Sequence, residues 1–229
     1  MISDMLKQLW QEGILQTSIW GTVYMTLLST LIAYVLGLPL GVILAVTDKN
    51  GIRPIAWVNK TLGVIVNVLR SIPFIILMVA MLPVAKLVVG TSMGNKAMIV
   101  MLIVAAAPYV ARMVESSLKE VNPGVIEAAQ AMGTPNFSII TKVLLPEAKP
   151  SLITGAVIST VTILGYSAMS GIIGGGGLGK IAINYGYYRY KYLVMLLAVI
   201  LLILMVQLLQ TVGTNLSVKS DKRLKNKTK

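Results

Sequence analysis

The chain contains no cysteine and no histidine, and only 8 acidic residues in 229. Without cysteine there can be no disulfide framework and no thiol nucleophile. Without histidine as well, the commonest ligands of zinc and redox metals are gone. The missing cysteine says little about compartment. Charged residues of both signs make up 12% of the chain, against about one quarter in an ordinary soluble domain. What fills the chain instead is apolar: 56% of residues are hydrophobic and the mean hydropathy is +0.81. That balance describes a polytopic, all-α membrane protein. The 20 lysines and arginines would suggest nucleic acid in a soluble chain. Here they sit in loops and a tail, so they are read as topology signals and no nucleic-acid partner is expected.

Residues 1–14 place Ile2, Met5, Leu6, Leu9 and Trp10 on one helical face, with Asp4, Lys7 and Glu12 opposite. This predicts a short helix lying in the membrane interface. The segment lacks the basic leader and small-residue cleavage site of a signal peptide. Residues 15–216 are expected to form the transmembrane domain. Its first span, residues 19–46, is about 42 Å long as a straight helix, more than a hydrocarbon core of about 30 Å requires. Pro39 offers a bend there, and Gly37 with Gly41 forms a GxxxG pair that permits close helix contact, although the motif is common background in lipid. The second span, residues 61–89, is interrupted by Arg70, Pro73, Pro83 and Lys86. Arg70 either snorkels to the interface or faces a wet interior or a carboxylate. The third, residues 97–111, reaches 114 if Arg112 snorkels. The fourth, residues 151–173, carries eight hydroxyl residues with Gly155, Gly165 and Gly171; the fifth, residues 192–212, is rich in leucine. The fourth should therefore face protein or water, and the fifth lipid.

Five spans put the termini on opposite sides. With the N-terminus outside, 14 basic residues fall on the inner side and 6 on the outer, which favours that orientation and a cytoplasmic C-terminus. The basic tail, residues 217–229, reads as an anchor near anionic lipid. Glu115, Glu120, Glu127 and Glu147 gather on the cytoplasmic side, and no carboxylate is expected inside a span. An ion-coupled carrier usually needs an ionisable group at membrane depth and a doubled architecture. Neither is visible, and no catalytic residue, cofactor site or metal site is expected. Energy should then arrive from another subunit.

Residues 122–146 offer the place for it. Asn122 can cap a helix that Pro123 begins, and Gly133 supplies a left-handed stop. Thr134-Pro135 repeats the cap-plus-proline start, and Pro146 should limit the second helix. Two short helices on a polar ledge between spans form a docking surface. Elsewhere, residues 174–181 read GGGGLGKI and come near the phosphate-cradling pattern. Ile181 stands where a magnesium-binding hydroxyl is needed, no strand precedes the glycines, and the topology puts them outside. A turn that lets backbone approach a partner or the pore is the reading taken.

Glu127-Ala128-Ala129, then Gly133 after three residues, then Val143-Leu144-Leu145-Pro146 after nine more, resembles the EAA loop of ABC importer permeases of the type I family, with the pattern EAA-x3-G-x9-I-x-L-P. The one departure is Val143. Taken alone, EAA means little, because Glu and Ala are good helix formers; the full spacing carries the likeness. RSIPFIILM (from Arg70), AAPYVARMVE (from Ala106), GYSAMSG (from Gly165), and GGGLG with the later YGY resemble the methionine importers of that family. The resemblance implies a homodimer with ten spans, two ATP-binding subunits beneath it that bind ATP and magnesium, and an extracytoplasmic substrate-binding protein above it in a prokaryotic cell membrane. It implies that the helix from Pro123 is the coupling helix. Glu127 would contact the ATPase, Ala128 and Ala129 would pack closely, and Gly133 and Pro135 would set the turn. Tyr166, Ser167 and Met169 are candidate substrate-path residues, because a ring, a hydroxyl and a thioether suit an apolar amino-acid side chain. Ordinary interhelical packing explains the same three. Other solutes, an ion-coupled transporter, and an interaction protein without transport are the competing readings.

Overall fold

The computed structural model describes residues 10–220. Most of the interfacial helix expected over residues 1–14, and of the basic tail expected over 217–229, lies outside the described residues. Among those described the secondary structure is entirely helical. The order is α1 (Ile14–Thr47), α2 (Ala56–Ser71), α3 (Phe74–Ala80), α4 (Leu82–Val89), α5 (Gly94–Lys119), α6 (Pro123–Ala131) and α7 (Asn136–Ile139). A π-helical turn, Ile140–Leu144, then leads into α8 (Leu145–Glu147) and α9 (Lys149–Ser167). After a 3-10 stretch, Ala168–Ile173, come α10 (Leu178–Lys180), a second π-helical stretch, Ile181–Tyr187, and α11 (Tyr192–Ser220).

Four segments are long and apolar enough to cross a bilayer: α1, α5, α9 with its 3-10 extension, and α11. A fifth is counted only if α2 and α3 form one broken span. The interrupted span expected over residues 61–89 is built as three helices. Pro73 takes an extended conformation at φ −55°, ψ 134°, and proline also turns its preceding residue away from the helical region. Pro83 sits in the first turn of α4, where its missing N–H leaves no bond unmade. By contrast α1 runs through Pro39 as one helix of 34 residues.

The hydroxyl-rich and leucine-rich helices differ as their composition implies. In the most apolar window of α11 only 11% of residues are buried, against 39% in the α9 segment. The most enclosed helix is α5, at 61%, and its alanine-rich middle gave no sign of that.

The chain forms two compact units. The first comprises residues 1–32, 72–106 and 160–209, and the second residues 33–71, 107–159 and 210–229. In the first, Leu178, Ile181, Val194 and Ala198 form a buried core covered by Ile14, Leu15, Ile19 and Leu202 among others. In the second, Leu44, Val66 and Ala111 are buried with Leu40 and Leu62 against them. The GxxxG pair explains how α1 comes so close to α5 there. A Cβ on Gly37 would lie 2.8 Å from the Ala107 carbonyl oxygen, and one on Gly41 would lie 2.5 Å from that of Ala111. The two glycines are an interhelical contact, which is their known use in lipid.

Candidate coupling surface and substrate-path residues

The helix α6 is built by local rules. The Gly124 N–H donates to Asn122 Oδ1 at 2.9 Å, pairing one of the amides a helix start leaves open, and Pro123 fills the first position. At the other end Gly133 adopts φ +72°. Its N–H donates to the Gln130 carbonyl at 2.9 Å, and the Thr134 N–H donates to that of Ala129 at 3.1 Å. These two bonds make a Schellman stop. Nine residues give a rod of about 13 Å.

Ala129 faces inward at 4% exposure, whereas Glu127, Ala128, Gly133 and Pro135 are exposed. Met132 and Phe137, at 78% and 76% exposure, and Val125 are apolar side chains that are also exposed. The sequence reading missed these three. The second helix also differs from its expectation. Pro135 is itself the cap residue of α7, at φ −65°, ψ 145°, and no side chain caps it; Thr134 is taken up in closing α6. Nor does Pro146 end the helix. The π turn widens the backbone, with the Leu145 N–H reaching back to the Ile140 carbonyl, so Pro146 falls in the first turn of α8 where it is tolerated.

Behind α6 lies a cavity of about 550 Å³ lined by Asp48, Lys119, Pro123, Ile126, Glu127 and Gln130 among others. At its edge Lys119 Nζ bonds Asp48 Oδ2 and Glu115 Oε1, both at 2.8 Å. Arg112 Nη1 bonds Glu115 Oε2 at 2.5 Å, and its Nη2 donates to Asn67 Oδ1 at 2.8 Å. The Asp48 carboxyl is held below its usual range, chiefly by the hydrogen bond from Lys119 and then by the Asn50 amide. Arg112 is thus ion-paired at the end of the third span, and Glu115, in the last turns of α5, has a side chain only 5% exposed. Arg70 is exposed, and its guanidinium carbon lies 5.9 Å from the Tyr109 ring centre, within cation–π range.

Of the substrate-path candidates, Tyr166 stacks on Phe74 with ring centres 4.4 Å apart and planes 6° from parallel. Met169 is half-buried. Ser167 is buried, and its hydroxyl donates to the Leu164 carbonyl at 2.7 Å. Gly165 next to Tyr166 is exposed, and a Cβ there would meet nothing within 4 Å. The glycine run brings its backbone close to this chain's own helices, where the approach expected was to a partner or the pore: the Gly176 N–H donates to Asn95 Oδ1 at 2.5 Å and the Leu178 N–H to Thr22 Oγ1 at 2.8 Å. Gly21 is the neighbour that lets the loop in, since its Cβ would lie 3.3 Å from the Gly177 nitrogen. Those two amides are committed to side chains, unlike the donor cradle of a phosphate loop.

The family described as binding-protein-dependent transport system inner membrane component matches residues 37–225. The chain belongs to this family. Among its curated relatives, the probable D-methionine transport system permease protein MetI of Vibrio cholerae serotype O1 is 48% identical over 212 residues, which is 93% of this chain and 94% of the relative. The D-methionine transport system permease protein MetI of Escherichia coli K12 is 49% identical over 158 residues, 69% of this chain and 73% of the relative. A solved structure described as inward facing conformations of the MetNI methionine ABC transporter superposes with a TM-score of 0.89 at 46% identity, covering 91% of this chain and 97% of its own. Phe74, Arg112 and Glu115 lie within the motifs RSIPFIILM and AAPYVARMVE, but their contacts with Tyr166, Lys119 and Asn67, and that of Lys119 with Asp48, are not visible there. Phe74 follows the Pro73 break, and an i, i+3, i+7 run of Arg, Glu and Lys is the one sequence sign that the ions share a helical face.

Proposed function

We propose that this chain is the membrane-spanning subunit of an ATP-driven importer for methionine, working as a homodimer with two ATP-hydrolysing subunits on its cytoplasmic side and an extracytoplasmic binding protein that delivers substrate. One observation carries the reading. The EAA spacing begins at Glu127 on the exposed rod α6 and runs on to Pro146, the rod is closed at both ends by hydrogen bonds, and Ala128, Met132 and Phe137 lie exposed along this stretch. A rod closed in this way transmits a rigid-body displacement without fraying. Partner movement on ATP binding would draw the two coupling helices together and turn the pore outward, with hydrolysis resetting it. Membership in an inner-membrane transport family, and high identity to permeases named for D-methionine, support the substrate.

Charge supports the orientation. The second unit contains 14 of the 20 basic residues, including those of the tail, and an excess of lysine and arginine marks loops that stay in the cytoplasm. The transmembrane domain is taken as residues 15–216. Tyr166 and Met169 are the residues proposed to meet the thioether side chain, next to the open space at Gly165, while Ser167 fixes the turn that presents them.

The test is ATP-dependent uptake of labelled methionine by proteoliposomes holding the full complex. Uptake that needs ATP is the expected result, and uptake driven by an ion gradient through this chain alone would overturn it. In the same assay Tyr166→Ala and Met169→Ala should lower uptake about fivefold or more while basal ATP hydrolysis changes less than twofold or so. Tyr166→Phe keeps the stack on Phe74, worth about 0.5–1.5 kcal/mol, and separates packing from contact with substrate. Equal loss of uptake and hydrolysis in both alanine variants would remove the pocket.

A further inference from the structure

The second unit holds four alternating charges in one hydrogen-bonded line, running Asp48, Lys119, Glu115, Arg112 and ending on Asn67. Two carboxylates face two cations, so the line is neutral, and Glu115 is nearly enclosed between its partners. Its members come from three places. Asp48 follows the last residue of α1, Asn67 belongs to α2, and the rest lie in the final two turns of α5. Asp48 is itself fixed, because Asn50 N–H donates to Oδ1 at 3.2 Å and Gly51 N–H to its carbonyl at 2.8 Å. Only Glu120, Val121 and Asn122 separate Lys119 from Pro123, the first residue of α6, and Val121 is buried. Pro123, Ile126, Glu127 and Gln130 of α6 and residues 48–52 line the same 550 Å³ cavity. A displacement of α6 toward that side therefore reaches α1 and α2 through the joint at Lys119.

We propose that Asp48, Lys119, Glu115 and Arg112 act as an ionic strut that makes the ends of α1, α2 and α5 move as one body with α6, so that they are positioning residues for energy coupling. The inference rests on reading α6 as the coupling helix. Breaking a link beside the enclosed Glu115 leaves its charge less well compensated. It also lets α5 turn without carrying α1 along.

The experiment measures methionine taken up per ATP hydrolysed by the complete complex in proteoliposomes, for Asp48→Asn, Lys119→Gln, the double variant, Asp48→Glu and Gly133→Val. Asp48→Asn is the mild probe, since that side chain lies in a partly exposed loop. Asp48→Asn and Lys119→Gln should each lower the ratio about threefold or more, Asp48→Glu should restore it, and the double variant should be no worse than Lys119→Gln alone, as expected of residues in one line. A purely structural role would lower the amount of assembled complex and leave the ratio of the surviving complex unchanged. An unchanged ratio in both single variants, or losses that multiply in the double variant, overturns the strut. If Gly133→Val lowers the ratio while the strut variants do not, the strut alone fails. If Gly133→Val leaves it unchanged, the coupling-helix reading fails and takes the strut with it.

Discussion

Replacing Gly133 by valine should cut methionine uptake about tenfold or more while leaving the permease in the membrane. Gly133 sits at φ +72°, a region where the Cβ of an L residue is crowded by its own backbone at a cost of about 1–2 kcal/mol, more for a β-branched one. A Cβ at this site meets nothing else within 4 Å, so the penalty comes from the backbone and not from a neighbour. The chain relieves it by leaving the left-handed conformation, which breaks the two bonds that close α6 and redirects the rod. Gly133→Asn is the decisive companion, since asparagine tolerates that conformation. It should keep most of the uptake. Similar losses in both variants would mean that something other than the stop is needed at this position.

Gly41→Val should remove folded protein altogether. The new Cβ would lie 2.5 Å from the Ala111 carbonyl oxygen and 2.6 Å from Val114 Cβ. Neither can step aside, because one is helix backbone and the other is a β-branched carbon on the same turn. Ordinary overpacking costs about 1–3 kcal/mol, and forcing two helices apart along their contact should exceed it. Gly63→Ala is the control, as nothing lies within 4 Å of a Cβ there and alanine is the better helix former by about 1 kcal/mol. Membrane abundance and the melting temperature in detergent read both. Expected are a near-complete loss for Gly41→Val and no loss for Gly63→Ala; comparable abundance of the two would show that the α1–α5 contact is dispensable.

Features set by a few neighbouring residues were legible in the sequence. The cap at Asn122, the stop at Gly133 and the low burial of α11 each follow from local stereochemistry or composition, and the structure has all three. Close helix contact at Gly37 and Gly41 was one of two readings, and deciding it needed the identity of the opposing helix. Where a residue had two local outcomes, the surroundings chose. Pro146 could end a helix or sit in the first turn of the next one, and Thr134 could cap α7 or close α6; in each case the second happened.

Partners distant in sequence were hidden. Asp48 and Lys119 are 71 positions apart, and Arg112 and Asn67 are 45 apart. Glu115 read as one of four acids on the cytoplasmic side because its cations could not be placed around it. The surface of α6 was legible as a motif, yet its apolar exposure at Met132 and Phe137 appears only once α6 and α7 are set beside the π turn. For the substrate path the sequence supplied residue types, whereas the stack of Tyr166 on Phe74 required the break at Pro73.

The most direct measurement uses the missing cysteine. Because the native chain has none, Ala128→Cys and Tyr190→Cys each introduce a single thiol, and both side chains are exposed. A membrane-impermeant maleimide added to intact cells lacking an outer barrier should label Tyr190→Cys and spare Ala128→Cys. Opening the membrane should then expose Ala128→Cys, and a short bifunctional reagent should join it to the ATP-hydrolysing subunit. Labelling of Ala128→Cys from outside, or no crosslink to that subunit in the assembled complex, would contradict the claim that energy enters this permease through α6 on its cytoplasmic face.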